Sequence, residues 1–473
     1  MDNAFPCPAR KKCGGCQLQN LTYPEQLDFK QGREIALLGQ YGHVRRILGM
    51  EDPTHYRCKV QAAFEKGRDG IVSGVWQSST RRVVPMDSCL IEDTLCDEII
   101  VTVRKLLKSF RIKLYDPETE TGFFRHALVR RGRFTGQVMV VLVTGPGEFP
   151  SQRSFVNALT GRHPEITTVV RNVNTKKLNL TLGNENIPLF GEGYIEDALL
   201  GCTFRISPAS FYQVNPVMTE TLYSTAIGLL SLTGAETVLD AYCGTGTIGI
   251  LLSRQAGKVI GVEKSADAVA DARWNAARNQ AANIEFKQGD ASAYMEELYK
   301  RGETLDAVVM DPPRAGSDVR FLRALTKLGP KKVVYVSCEP ETLARDLKYL
   351  TGHGYRVEAI QPVDLFPFTK HVETVCSLVL RNPVTHINID VDVEELVQDK
   401  RGQATYPQIK EYVLEQTGLK VSSLYISQIK RKCGLDVGDS YNKPKSEDAK
   451  VPQCPPEKEK AIMDALRHFG LAN

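Results

Sequence analysis

From about residue 207 onward the chain alternates strictly between short apolar runs and amphipathic helical stretches, a pattern that few folds accommodate. Strand-like runs are expected at 237–242, 258–263, 284–287, 305–310, 332–336, 355–360 and 375–380. Helical periodicity fills the first five gaps, over about 248–255, 266–279, 293–300, 320–327 and 343–350. A strand, a crossover helix and a second parallel strand connect with one hand. Five such units therefore specify a doubly wound α/β sheet with helices on both faces. The last two strands are joined by a loop and are expected to form an edge hairpin.

The preceding region reads differently. Residues 1–24 are rich in Cys, Pro and Gly, and a short helix is expected over about 24–39. Residues 51–205 read mostly as strands, at 58–64, 70–76, 81–84, 127–131, 137–143, 167–171 and 177–182, with one helix at about 93–110. Turn residues such as Gly67, Gly70, Gly136 and Gly183 punctuate them. Beyond about residue 382 come an acidic stretch at 390–399 and two short helices at 406–416 and 421–432, broken at Gly418. A polar linker at about 436–456 then leads to a last helix near 458–469. The expected organisation is four segments: 1–50, 51–205, 206–383 and 384–473.

The 473 residues carry a net charge of +4. That surplus is uneven: residues 1–205 hold 28 Lys/Arg against 22 Asp/Glu, and residues 206–473 hold 32 against 34. A basic N-terminal half suits a polyanionic partner. No apolar run reaches membrane-spanning length, and the first residues lack the basic and apolar regions of an export signal. A cytoplasmic protein is expected, so its twelve Cys should serve as reduced thiols, metal ligands or catalytic groups rather than a disulfide frame.

Acidic and glycine residues gather at successive strand ends. The first strand of the sheet runs into Asp240-Ala-Tyr-Cys-Gly244-Thr-Gly246-Thr-Ile-Gly249. Its glycines permit a tight turn and close backbone approach to a ligand. Glu263 ends the next strand, placed to accept bonds from ribose hydroxyls; Asp290 follows the third and Asp311 the fourth. The glycines and Glu263 alone would suit a dinucleotide. Asp240, Asp290 and Asp311 together favour S-adenosylmethionine, whose methionine half is cationic. Cys338 closes the fifth strand, just before a helix. The helix dipole there is expected to favour thiolate over thiol.

With these residues in view, the chain resembles the RNA uridine-5 methyltransferase family. The matching stretches are Ser210-Phe-Tyr-Gln213-Val-Asn-Pro, Asp240-Ala-Tyr-Cys-Gly-Thr-Gly, Asp311-Pro-Pro-Arg-Ala-Gly, Tyr335-Val-Ser-Cys338-Glu-Pro-Glu and Val363-Asp-Leu-Phe-Pro-Phe-Thr-Lys-His-Val-Glu373. The resemblance covers about residues 5–383 and implies a class I Rossmann-like methyltransferase sheet. It places the cofactor residues on Gln213, Tyr242, Thr247, Glu263, Asp290 and Asp311, the nucleophile on Cys338 and the base on Glu373.

The implied chemistry suits these residue types. C5 of uracil is a poor nucleophile. A thiolate added to C6 makes an enolate that is electron-rich at C5, and a base must then remove the C5 proton. The target base must be unstacked, in a loop or flipped out. The run Phe123-Phe-Arg125-His126-Ala-Leu-Val-Arg130-Arg131 reads either as an RNA contact surface or as a strand with a solvated basic face.

Cys7, Cys13 and Cys16 lie in a segment too poor in apolar residues for three core thiols. An all-Cys donor set fits either a zinc site or a [4Fe–4S] cluster, and spacing leaves both open. The resemblance, which extends to the iron–sulfur members of the family, implies [4Fe–4S] and adds Cys89 as fourth ligand; Cys58 and Cys96 are rivals for that place. It also implies ribosomal RNA ahead of transfer RNA as substrate. A monomer is expected. Many relatives carry a β-barrel RNA-binding module before the cysteines, whereas six residues precede Cys7 here. Residues 406–433 read as a helix–turn–helix ending in Lys430-Arg431-Lys432, and the tail reads either as a substitute for that module or as a small helical appendage.

Overall fold

The computed structural model describes residues 7–77, 80, 82–176, 182–381, 406–417, 419–433, 435, 454–469 and 471. The chain divides into two compact units, 1–382 and 383–473. The expected strand at 177–182 falls almost wholly outside the described residues. The 390–399 stretch, Gly418 and nearly all of the 436–456 linker fall outside them too.

The first unit begins with α1 (Arg10–Cys13) and α2 (Tyr23–Leu38), followed by a strand-rich region. That region contains β1 (Lys59–Gly67), β2 (Gly70–Gln77), β3 (Arg82–Pro85), α3 (Thr94–Ser109), β4 (Phe124–Arg131), β5 (Val138–Thr144), α4 (Gln152–Arg162), β6 (Ile166–Val173) and β7 (Glu185–Phe190). Its sheet has the order β3-β2-β1-β4-β5-β6-β7. All neighbours are antiparallel except β5 and β6, which α4 connects as a crossover. Asp93 caps α3 by accepting from the amides of Leu95 and Cys96.

The centre of this sheet is covered on both faces. Ala127, Val129, Val138, Val140 and Leu142 pack under α3 and α4. Leu128, Met139, Val141 and Val143 point the other way, into a core shared with Leu222, Val238 and Val336 of the following region. This corrects both readings of the 123–131 run. Arg125, His126 and Arg130 are buried, so they form neither an RNA contact surface nor a solvated face. Arg130, 1% exposed, donates from both terminal nitrogens to the carbonyl of Ser210 at 3.1 Å. Arg125 stacks over Tyr115 and donates to the carbonyl of Lys176. Arg131 pairs with Asp93 at 3.0 Å.

A hairpin, β8 (Ile195–Leu199) and β9 (Cys202–Ile206), leads into α5 (Pro216–Leu230). Then come β10 (Thr237–Ala241), α6 (Thr247–Leu252), β11 (Lys258–Glu263), α7 (Ala266–Arg278), β12 (Ile284–Gln288), α8 (Ala291–Arg301), β13 (Ala307–Met310), α9 (Val319–Leu328), β14 (Lys332–Ser337), α10 (Pro340–Gly352), β15 (Tyr355–Val363) and β16 (Glu373–Leu380). The sheet order is β12-β11-β10-β13-β14-β16-β15. β10 to β14 pair in parallel, and β16 runs antiparallel between β14 and β15. Alternate side chains feed opposite layers. Val238, Val309, Val334 and Val336 face α5, α6 and α7. Leu239, Val308, Val333 and Tyr335 face α8, α9, α10 and the end of α2. The doubly wound sheet and its edge hairpin are as the alternation predicts.

The second unit contains α11 (Tyr406–Thr417), α12 (Ser423–Lys432) and α13 (Pro456–His468) around Ile409, Val413, Ile426, Ile429, Ile462 and Leu466. Two of its three clustered cations are engaged internally: Lys432 pairs with Glu459 at 2.7 Å, and Lys430 sits 5.0 Å from the Tyr406 ring. No helix among the described residues is long and apolar enough to cross a membrane.

Candidate active site

Open α/β sheets bind ligands beyond the carboxyl ends of their strands, and the predicted residues converge there. Asp240, at the end of β10, is 1% exposed, and its Oδ2 accepts from the amide of Gly249 at 2.7 Å. A Cβ at Gly249 would lie 2.8 Å from that oxygen, so only glycine fits. Gly244 and Gly246 have φ of 54° and 80°. Tyr242 has φ of 64°, strain that a non-glycine residue holds only where its surroundings enforce it.

Gln213, Tyr242, Thr247 and Asp311 line one cleft together with Asp240 and Phe211. Glu263 braces the loop: its Oε2 accepts from the amide of Gly244 at 3.2 Å and its Oε1 from that of Ser265 at 2.8 Å. Asp290 is exposed and caps α8 by accepting from the amide of Ala293, and it is not among the cleft-lining residues. Sequence reasoning missed two aromatic residues here. Tyr223 of α5 lines the cleft, is hydrogen-bonded to Gln213 and feels the charges of Asp311, Glu373 and Asp240. Phe211 stands 71% exposed at the cleft.

The β14–β16 pairing sets Ser337 opposite Thr374. In an antiparallel ladder the next pair outward is then Cys338 and Glu373, so strands from distant parts of the chain bring these two residues side by side. Glu373 is 4% exposed, and Cys338 is half-buried. Burial, reinforced by Glu373 and Asp311, pushes the Cys338 thiol up to about 11, with Arg314 opposing. The expectation that the start of α10 favours thiolate is therefore outweighed by desolvation and neighbouring carboxylates. Burial likewise holds Glu373 well above the usual carboxylate range, with Asp311 adding and Arg314 opposing. Burial raises Asp311 to about 7 and, with Asp311 and Glu263 adding, Asp240 to about 8. Burying this many acids favours a cationic ligand, which would relieve them all.

At the N-terminus, Cys7, Cys13, Cys16 and Cys89 are all partly exposed free thiols. Cys16 and Cys89 pack against one small cluster, Tyr56, Ile91 and Phe368. Burial, then the charges of Cys13 and Cys7, push Cys16 up to about 11. Among the described residues no group of three or more His, Cys, Asp or Glu is arranged to hold a metal ion. Cys7 and Cys13 lie near enough to Cys16 to act on its charge, and Cys16 shares its packing with Cys89. Cys58 and Cys96, the rival ligands, are buried.

Residues 174–381 match the family model described as tRNA (Uracil-5-)-methyltransferase. An uncharacterized RNA methyltransferase of Halalkalibacterium halodurans is 42% identical over 80% of this chain and 83% of its own length. The chain belongs to the RNA uracil-5-methyltransferase family. An uncharacterized RNA methyltransferase of Clostridium acetobutylicum is 41% identical over 78% of this chain and 82% of its own length. The crystal structure of Pyrococcus abyssi tRNA (uracil-54, C5)-methyltransferase in complex with S-adenosyl-L-homocysteine is similar with a TM-score of 0.65. It is 30% identical and covers 77% of this chain and 86% of that one. This uracil-5-methyltransferase family member thus combines an S-adenosylmethionine-dependent methyltransferase fold with a Cys–Glu pair beside its cleft.

Proposed function

We propose that this protein transfers a methyl group from S-adenosylmethionine to C5 of a uridine in RNA through a covalent Cys338–C6 adduct. The observation that carries the reading is the strand register that sets Cys338 beside Glu373 at the edge of an acid-lined cleft. Gln213, Tyr242, Thr247, Glu263, Asp290 and Asp311 would hold the cofactor, which supplies an electrophilic methyl on a sulfonium. Cys338 Sγ would add as thiolate to C6 of the uracil ring, and C5 would then take the methyl as its bond to sulfur breaks and S-adenosylhomocysteine leaves. Glu373 takes the C5 proton, and elimination of Cys338 frees the product. The exposed ring of Phe211 is a stacking platform for an extruded base.

Ribosomal RNA is the preferred substrate on the resemblance of the N-terminal cysteines. Transfer RNA is the second reading, favoured by the similarity to the Pyrococcus abyssi enzyme. The protein acts in the cytoplasm as a monomer. The test is mapping of 5-methyluridine in 23S and transfer RNA from cells with and without the gene, alongside labelled methyl transfer by purified protein. A lost 5-methyluridine in 23S RNA is expected. Loss in transfer RNA alone selects the second reading, and label in cytosine or in no RNA overturns both.

Cys7, Cys13, Cys16 and Cys89 are proposed as ligands of a [4Fe–4S] cluster that ties the N-terminus to the strand-rich region, with zinc as the alternative. The all-thiolate donor set and the cluster packing shared by Cys16 and Cys89 support this. Anaerobically purified protein should contain about four iron and four sulfide per chain, lost in Cys16→Ser. One zinc per chain would select the alternative, and absence of both metals would reject the site.

A further inference from the structure

Helix α2 buries what surface helices expose. Gln26, Lys30 and Glu34 recur every four residues, share one face, and are each 0% exposed. Burying such groups costs free energy unless each has a specific partner. Gln26 and Lys30 find theirs in the segment that joins β15 to β16, and Glu34 finds its partner at the start of β16. Gln26 Oε1 accepts from the amide of Phe368 at 2.8 Å. Lys30 Nζ donates to Asp364 Oδ1 at 2.6 Å and to the carbonyl of Phe366 at 3.0 Å. Thr374 Oγ1 donates to Glu34 Oε2 at 2.8 Å, while Glu34 Oε1 is buried without a partner.

Arg33 adds a second span. Its NH1 donates to the carbonyl of Lys370 at 3.2 Å, and its NH2 reaches Glu339 at 3.0 Å and Glu341 at 2.6 Å. Stability is a weak reason for such an arrangement. Apolar replacements of buried ion pairs are often neutral or stabilising.

We infer that Arg33 and Glu34 are positioning residues for the methyl-transfer reaction. Arg33 holds Glu339, the residue after Cys338, and Glu34 holds Thr374, the residue after Glu373. Two consecutive residues of one helix thereby fix the spacing of nucleophile and base. The inference rests on the assignment of Cys338 and Glu373 proposed above.

The test compares full-length wild type with Arg33→Ala, Arg33→Lys, Glu34→Ala, Glu34→Gln and Thr374→Val. Steady-state methyl transfer, S-adenosylmethionine affinity and covalent capture of RNA carrying 5-fluorouridine are measured for each. Displacing a reacting group by an ångström costs about a hundredfold, so Arg33→Ala and Thr374→Val should lower kcat by about ten- to a hundredfold. Their KM for RNA and cofactor affinity should shift by less than about threefold. Glu34→Gln keeps an acceptor for Thr374 and should hold at least about a third of wild-type kcat, whereas Glu34→Ala should not. Arg33→Lys should recover little, because an ammonium lacks the planar fork that spans carboxylates and a carbonyl.

Thr374→Val preserves side-chain shape, so it remains informative if Glu34→Ala does not fold. Wild-type kcat in Arg33→Ala and Thr374→Val overturns the inference. A loss in Glu34→Gln equal to that in Glu34→Ala does so as well, as does a kcat loss matched by lost cofactor affinity. Failure of the wild type to capture fluorinated RNA strikes the catalytic assignment instead.

Discussion

Cys338→Ala is expected to lower methyl transfer to RNA by about 10⁴-fold or more, the scale seen when a nucleophile that acts as part of a catalytic unit is removed. Affinity for S-adenosylmethionine should change by less than about twofold, because the proposed role of Cys338 is to bond the uracil ring and not to hold the cofactor. Labelled-methyl transfer and calorimetric titration measure the two effects separately. The thiol's upward shift to about 11 adds a pH signature. Below that value the thiolate fraction rises about tenfold per pH unit, so alkylation of Cys338 in the cofactor-free protein should accelerate steadily from pH 7 to pH 10. A Cys338→Ala protein with a tenth of the wild-type rate would refute the covalent route.

Glu373→Gln is expected to stop the reaction one step later. Cys338 can still add to C6 and the methyl can still transfer, but the C5 proton has no acceptor. Methylated RNA should therefore remain bonded to the protein and migrate with it on a denaturing gel. Turnover should fall by about 10²- to 10⁴-fold, the usual contribution of a placed acid or base. The substitution keeps side-chain shape at a position 4% exposed, so folding should survive. A variant that turns over slowly yet never accumulates adduct would remove Glu373 from the role of base.

Much of the doubly wound sheet was legible because each layer has a plain local signal. Buried parallel strands are continuous apolar runs, and their covering helices alternate at helical period. The expected 258–263 strand coincides with β11. Helix α5 was missed because it is apolar on most of its surface, and such a helix lacks the polar face that marks a period. Of the site, the glycine loop and the strand-end acids could be read locally. The adjacency of Cys338 and Glu373 could be inferred only through family resemblance, since their ladder joins segments some thirty-five residues apart with no local mark.

The strand-rich region was harder. In β4 the arginines look solvated because period alone cannot tell that a second layer covers that face. Arg130 finds a backbone carbonyl rather than an acid, and carbonyl partners leave no trace in composition. The polar stripe of α2 is equally silent, since Gln26, Lys30 and Glu34 are what an exposed helix would carry.

The partners of Gln26, Lys30 and Glu34 lie 334 to 342 positions away in sequence. Proteins emerge from the ribosome N-terminus first, and contacts of such long range form only once both ends exist. A nascent chain therefore completes its basic N-terminal half long before the segment bearing Glu373 has been made. Translation itself withholds the proposed Cys338–Glu373 pair until the first unit is all but complete.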